Sequence, residues 1–241
     1  MPKTIYPEFE GLRLARDFFF LDHFLSYVDA GFWTKAIADT GSVAATDAHG
    51  GVLAIIPSDA TVVDNDQASI ESTKEIFLFG ANKPFAVEAD IQFTEANVDD
   101  ANVAFGVMNA SPTDRALGDT GAGPIATTHS SMMIYKVLNG TVWKCESCVV
   151  TTQTITASTK TAGGSAYQRL RVEYQPISAT QGECSFYVDG VALVDSNGKQ
   201  IKHTITFASA TEMKVFLIQK NGANTNVETL LVHRVALQGL T

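Results

Sequence analysis

Apolar and polar residues alternate with a period of two through much of this chain. In the stretch VEADIQF (87–93), Val87, Ala89, Ile91 and Phe93 interleave with Glu88, Asp90 and Gln92. Strand side chains point to opposite faces in turn, so the three polar groups share one face. Alternating or wholly apolar runs recur at 51–56, 84–93, 102–108, 130–137, 141–145, 167–174, 183–190, 202–208, 212–220 and 228–237. Asp, Asn, Gly, Ser and Thr, the usual turn formers, separate them. Asn139-Gly140, Asp189-Gly190 and the stretch DSNGK (195–199) predict tight turns, because Asn, Asp and Gly tolerate positive φ. VFLIQ (215–219) is apolar on both sides, as in a central strand covered on both faces. Many short strands with frequent turns predict an all-β, antiparallel sandwich or barrel.

Nothing repeats along the chain and no linker stands out, so a single sandwich over 31–241 is expected, preceded by an N-terminal arm or extension over 1–30. Within that arm Tyr6, Phe9, Leu12 and Leu14 need cover, either from the chain's own sandwich or from a neighbouring subunit. FFFLDHFLSYV (18–28) is dense in apolar residues and fits a helix, a turn or an opening strand. Ala110–Thr128 and Ser158–Ser165, rich in Gly, Ser, Thr, Asp or Pro, read as loops.

Composition narrows the function classes. With 241 residues, 45% hydrophobic and 18% charged, the chain can bury a sizeable core without a metal or disulfide. Its net charge of -9 and the absence of any Lys/Arg run argue against a nucleic-acid partner. No apolar run of about 18 residues suggests a membrane span, and the first residues lack a signal-peptide pattern. A soluble protein made in a cytoplasm is expected.

Candidate chemistry is sparse. Cys145, Cys148 and Cys184 are an odd set without disulfide spacing. The CESC pair (145–148) has redox or zinc spacing but follows a strand, with no second pair, so ordinary buried thiols are expected. The five histidines, His23, His49, His129, His203 and His233, form no metal-binding motif. The carboxylates of VDNDQ (63–67) and NVDDAN (97–102) fit turn chemistry, a calcium site being the minority alternative. TGAGP (120–124) and AGGS (162–165) lack the lysine of a phosphate loop. No cofactor and no metal is expected.

YQRLRVEYQP followed by ECSFYVDGVAL (167–176 and 183–193) resembles the back-sheet strands of concanavalin A-like lectin and glucanase sandwiches. PFAVEADIQF with NVAFGVM resembles the strand pair before them, and NVETLLVHRVAL resembles the closing strand. The resemblance spans roughly residues 30–240 and implies a concanavalin A-like jelly roll. TKEIFLFGANKPFAVEADIQFTEANVDDANVAFGV and SNGKQIKHTITFASATEMKVFLIQKNGANTNVETLLV are more narrowly similar to tailed-phage capsid decoration, or cement, proteins.

Glucanases of this fold carry E-x-D-x-E or E-x-D-x-x-E on their catalytic strand. Glu88 and Asp90 match its first two positions, but the third is Gln92, or Phe93 in the bulged form. Neither can protonate a leaving group, and a retaining mechanism needs two carboxyl groups about 5–5.5 Å apart. The expectation is therefore no enzyme, with Glu88 and Asp90 on a polar strand face turned to water or a partner. Sugar-binding members of the fold use exposed aromatic rings. Trp33, Trp143, Tyr135 and Tyr167 are the candidates here, against the competing reading of core packing.

The resemblance implies a virion component on the capsid exterior that binds between major capsid protein subunits, as a homotrimer, through Tyr6, Phe9, Leu12 and Leu14. The alternative is a carbohydrate-binding, lectin-like module of a phage appendage with Trp33 and Trp143 in glycan contact. A glucanase-type hydrolase ranks last.

Overall fold

The computed structural model describes residues 17–240 apart from 39, 60–65, 82, 95–100, 114, 119–122, 126–128, 165 and 223–227. Among the described residues the only regular elements are strands. They are β1 (Asp17–Asp22), β2 (Trp33–Ala38), β3 (Ser42–Thr46), β4 (Val52–Ile56), β5 (Gln67–Ser72) and β6 (Phe77–Phe79). There follow β7 (Phe85–Thr94), β8 (Asn102–Met108), β9 (Ser131–Lys136), β10 (Val142–Val149), β11 (Thr152–Thr161) and β12 (Gln168–Pro176). The last are β13 (Gln181–Val188), β14 (Val191–Ala192), β15 (Lys202–Thr206), β16 (Thr211–Lys220) and β17 (Thr229–Leu240).

Two antiparallel sheets stack as a sandwich. The first runs β14-β13-β12-β7-β17-β4-β3, with β1 added on β17 and β15 on β13. The second runs β11-β10-β9-β8-β16-β5-β2, with β6 on β16. Chain neighbours β7 and β8 lie in different sheets, so the chain crosses the sandwich between them. The alternation read from the sequence decides which residues meet: Val87, Ala89, Ile91 and Phe93 enter the shared core with Leu170, Val172, Phe105 and Leu217. Asp189-Gly190 turns β13 into β14 with both φ positive, at 55° and 75°, as the turn signal requires.

The sandwich begins earlier than expected. β1 pairs with β17 from Asp17 to Asp22, and Phe18 and Phe20 pack against the core. Residues 17–22 of the expected 1–30 arm therefore belong to the first sheet. Tyr6, Phe9, Leu12 and Leu14 lie outside the described residues. Ser158–Thr161, expected as loop, continue β11. Polar Thr and Ser residues suit this strand because it is an edge with most side chains in water.

One irregularity positions side chains. Between Val232 and Arg234 the pairing of β17 with β7 shifts register, with Val232 opposite Ile91 and Arg234 opposite Asp90. The extra residue, His233, bulges out, and Arg234 is re-aimed onto the polar face beside Glu88 and Asp90. Apolar packing on the core side resumes at Val235 and Leu237.

Candidate functional site

The polar face of VEADIQF is not a plain solvent-facing surface: Glu88 is buried, while Asp90 and Gln92 are half-buried. Glu88 is 1% exposed and its carboxylate accepts from Arg234 Nη2 at 2.5 Å. Asp90 accepts from Arg234 Nε at 2.7 Å and from Arg169 Nε at 2.9 Å. Arg169 Nε also stands 3.5 Å from Glu88. Register explains the meeting: Arg169 on β12 and Arg234 on β17 flank Asp90 from the two neighbouring strands. A buried carboxylate beside a half-buried one is tolerable only with the two guanidinium groups paired against them. The expectation of a surface turned to water is thus corrected to an ion network across three strands.

At the rim of this network lies a cleft of about 320 Å³ lined by Asp90, Tyr167, Arg169 and Asp189. Asp189, at the positive-φ turn, accepts from the Arg169 amide at 3.0 Å and pairs with Lys160 Nζ at 2.9 Å. Tyr167 is 40% exposed, and its ring lies 5.7 Å from that of His233, which in turn lies 5.9 Å from His23. Partial burial, and then the charge of Asp90, raises the Tyr167 phenol above its ordinary range and keeps it a neutral donor. The cleft therefore combines an exposed ring, just ahead of β12, with carboxylate acceptors and a guanidinium on paired strands or a tight turn.

The other aromatic candidates are not placed for ligand contact. Trp143 is fully buried, donates from Nε1 to Gln168 and meets Phe93 edge-on. Trp33 is 3% exposed, donates to Asp22, and packs against Phe20, Phe24 and Phe32. Tyr135 is buried under the segment after β8. Core packing claims all three rings, which leaves Tyr167 as the one candidate of the four that faces solvent.

The outer face of the second sheet is covered by the chain itself. Ala116 and Leu117, from the stretch expected as loop, pack on Met133, Tyr135, Phe216 and Ile218. Lys220 Nζ donates to Leu117 O at 3.5 Å, and Gln153 Nε2 to Pro124 O at 3.1 Å. Beneath this cover sits Glu146, fully buried, accepting from Ser131 Oγ at 2.8 and 3.1 Å and from Gln153 at 3.2 Å. Burial lifts its carboxyl to about 7 against those lowering hydrogen bonds. His129 and Cys148 lie beside it, with the donor atoms of all three within 4.8 Å of one another. The CESC spacing cannot act as a redox pair, because residues three apart on a strand face opposite ways. Cys145 points into the core and Cys148 outward, and all three cysteines are free and buried. Of the carboxylates considered for calcium, Asp64, Asp99 and Asp100 lie outside the described residues.

No protein-family model matches the chain, and no curated protein matches it. Solved structures do. An endo-1,3-β-glucanase from Streptomyces sioyaensis is similar with a TM-score of 0.62 at 18% identity, over 92% of this chain and 95% of that one. An endo-β-1,4-glucuronan lyase from the fungus Trichoderma reesei gives 0.59 at 12% identity, over 94% and 96%. Lectin UEA-II, complexed with galactose, gives 0.53 at 12% identity, over 94% and 100%. At such identities the likeness establishes the fold, a concanavalin A-like jelly-roll sandwich, as the resemblance implied. It also corrects the expectation of no enzyme: polysaccharide-cleaving enzymes and lectins both stand among these neighbours. Gln92 removes a proton donor from one strand only.

Proposed function

We propose that this chain is a carbohydrate-binding sandwich that engages a neutral saccharide in the cleft of Asp90, Tyr167, Arg169 and Asp189. The observation that carries the reading is the pairing there of a solvent-facing ring with fixed polar groups. A flat ring covers the C–H face of a sugar, while carboxylates and a guanidinium bond its hydroxyls. Around the cleft Glu88, Asp90 and Asp189 are matched by Arg169, Arg234 and Lys160, three charges of each sign. A balanced site suits an uncharged glycan better than a polyanion, which needs net positive charge. The neighbours that bind or cleave polysaccharides support the same class of ligand. The expectation of capsid decoration gains no support from these folds or from the cleft.

The test is a glycan array probed with the full chain, followed by titration of the best hit against Tyr167→Ala and Arg169→Ala. Binding that falls at least tenfold in both variants, with circular dichroism unchanged, is the expected result. Reducing ends released from the bound glycan would add catalysis to binding. No hit on the array, or hits indifferent to both substitutions, would overturn the assignment.

A further inference from the structure

The His129, Glu146 and Cys148 cluster lies on the sheet opposite the cleft and plays no part in the saccharide reading. Three facts distinguish it from an ordinary buried polar patch. First, the donors are brought together by register. Ser131 pairs with Cys148 and Met133 with Glu146, so these side chains share the outer face of the second sheet. His129, two residues before Ser131, keeps the same facing, and its amide continues the ladder by donating to Val150 O at 3.2 Å. Second, His129 and Glu146 are at most 1% exposed, Cys148 is fully buried, and the ligand atoms lie within 4.8 Å of one another. Third, Glu146 has no counter-charge. Its hydrogen bonds come from the neutral Ser131 and Gln153, and among the described residues no lysine or arginine pairs with it. Burying a carboxylate in that way is expensive unless a proton or a cation compensates it.

We propose that His129, Glu146 and Cys148 bind one divalent transition-metal ion of the zinc type. The donor set selects the metal. Thiolate and imidazole are poor ligands for calcium or magnesium, whereas zinc accepts sulfur, nitrogen and carboxylate oxygen together. Tetrahedral bonds of about 2.0–2.3 Å place ligand atoms about 3.3–3.8 Å apart, so the cluster closes on an ion by side-chain adjustment of about an ångström. Binding releases to solvent the Cys148 thiol proton and any proton on the Glu146 carboxyl and forms the metal–thiolate and metal–carboxylate bonds, with no oxidant or reductant needed. Three protein donors leave the fourth position to a water or to the Ser131 hydroxyl. The ion ties the entry of β9 to the end of β10 and neutralises a buried carboxylate that no lysine or arginine among the described residues pairs with.

The full chain, produced in cobalt-supplemented medium so that the cover closes over the ion during folding, tests this. One cobalt per chain is expected by elemental analysis, with a thiolate-to-cobalt charge-transfer band in the near ultraviolet. X-ray absorption at the cobalt edge of the same wild-type protein should show one sulfur neighbour alongside nitrogen and oxygen. Cys148→Ser should lose the band, and His129→Gln should lower occupancy severalfold. Cys145→Ser, which alters the inward-facing thiol, should keep both band and stoichiometry. Folded wild-type protein without cobalt, a cobalt shell lacking sulfur, or a band that survives Cys148→Ser would each overturn the proposal.

Discussion

Arg234 shows how much one side chain holds in place. It is 3% exposed and reaches both Glu88 and Asp90. Arg234→Met would take from the buried Glu88 its closest guanidinium, Arg169 Nε standing farther off at 3.5 Å. Removing one member of such a buried pair costs about 3–5 kcal/mol, so the urea midpoint should fall accordingly. A midpoint unchanged from wild type would mean that the network contributes nothing. His203 offers a separate test by pH. Burial against Ser147, Thr156 and the edge of Phe186 depresses its pKa to about 4, from an ordinary 6.5. The unfolded chain therefore takes up the proton first as pH falls. The contribution is complete above pH 6.5 and is lost progressively towards pH 4, to the extent of about 2–3 kcal/mol. His203→Gln should flatten that part of the stability profile relative to wild type, in which every other titrating group is shared. Parallel profiles would refute the assignment.

At the scale of elements, the pairing of β8 with β9 depends on Gly106. A Cβ there would collide with the Met132 carbonyl oxygen and the Met133 backbone, which cannot swing aside as a side chain could. Gly106→Ala should cost about 1–3 kcal/mol and raise amide exchange along β8 and β9 before the first sheet responds. Uniform exchange in both sheets would argue against a local origin. The same scale explains what the sequence disclosed. β7, β8, β12, β13, β16 and β17 were legible because alternation or a wholly apolar run marks strands packed on one or both faces. β11 was half hidden, since an edge strand of Thr and Ser buries too little to show a period. β1 was ambiguous because its run of three phenylalanines fits helix and strand alike. The bulge at His233 left no mark in the sequence, yet it brings Arg234 onto the carboxylates. Without it, VEADIQF could be read only as an isolated strand. Likewise His129 and Cys148 stand far apart in sequence, and only the β9–β10 register shows that they meet.

For the whole molecule, the two outer faces of the sandwich have different fates. That of the second sheet is capped by the chain's own Ala116 and Leu117, which fill the space over Met133 and Tyr135. The first sheet keeps an open cleft at the rim of its ion network. The net charge of -9 is thus a property of the surface at large and does not extend to the charge-balanced cleft. The concanavalin A-like fold itself admits lectin and polysaccharide-cleaving neighbours alike, so the ligand has to be argued from the side chains. Titration of the isotope-labelled chain with a neutral oligosaccharide from the array, followed by NMR, reads that argument most directly. The account predicts saturable shifts confined to Tyr167, Arg169, Asp189 and the His233 ring. Shifts clustered elsewhere, or none at saturating sugar, would contradict it.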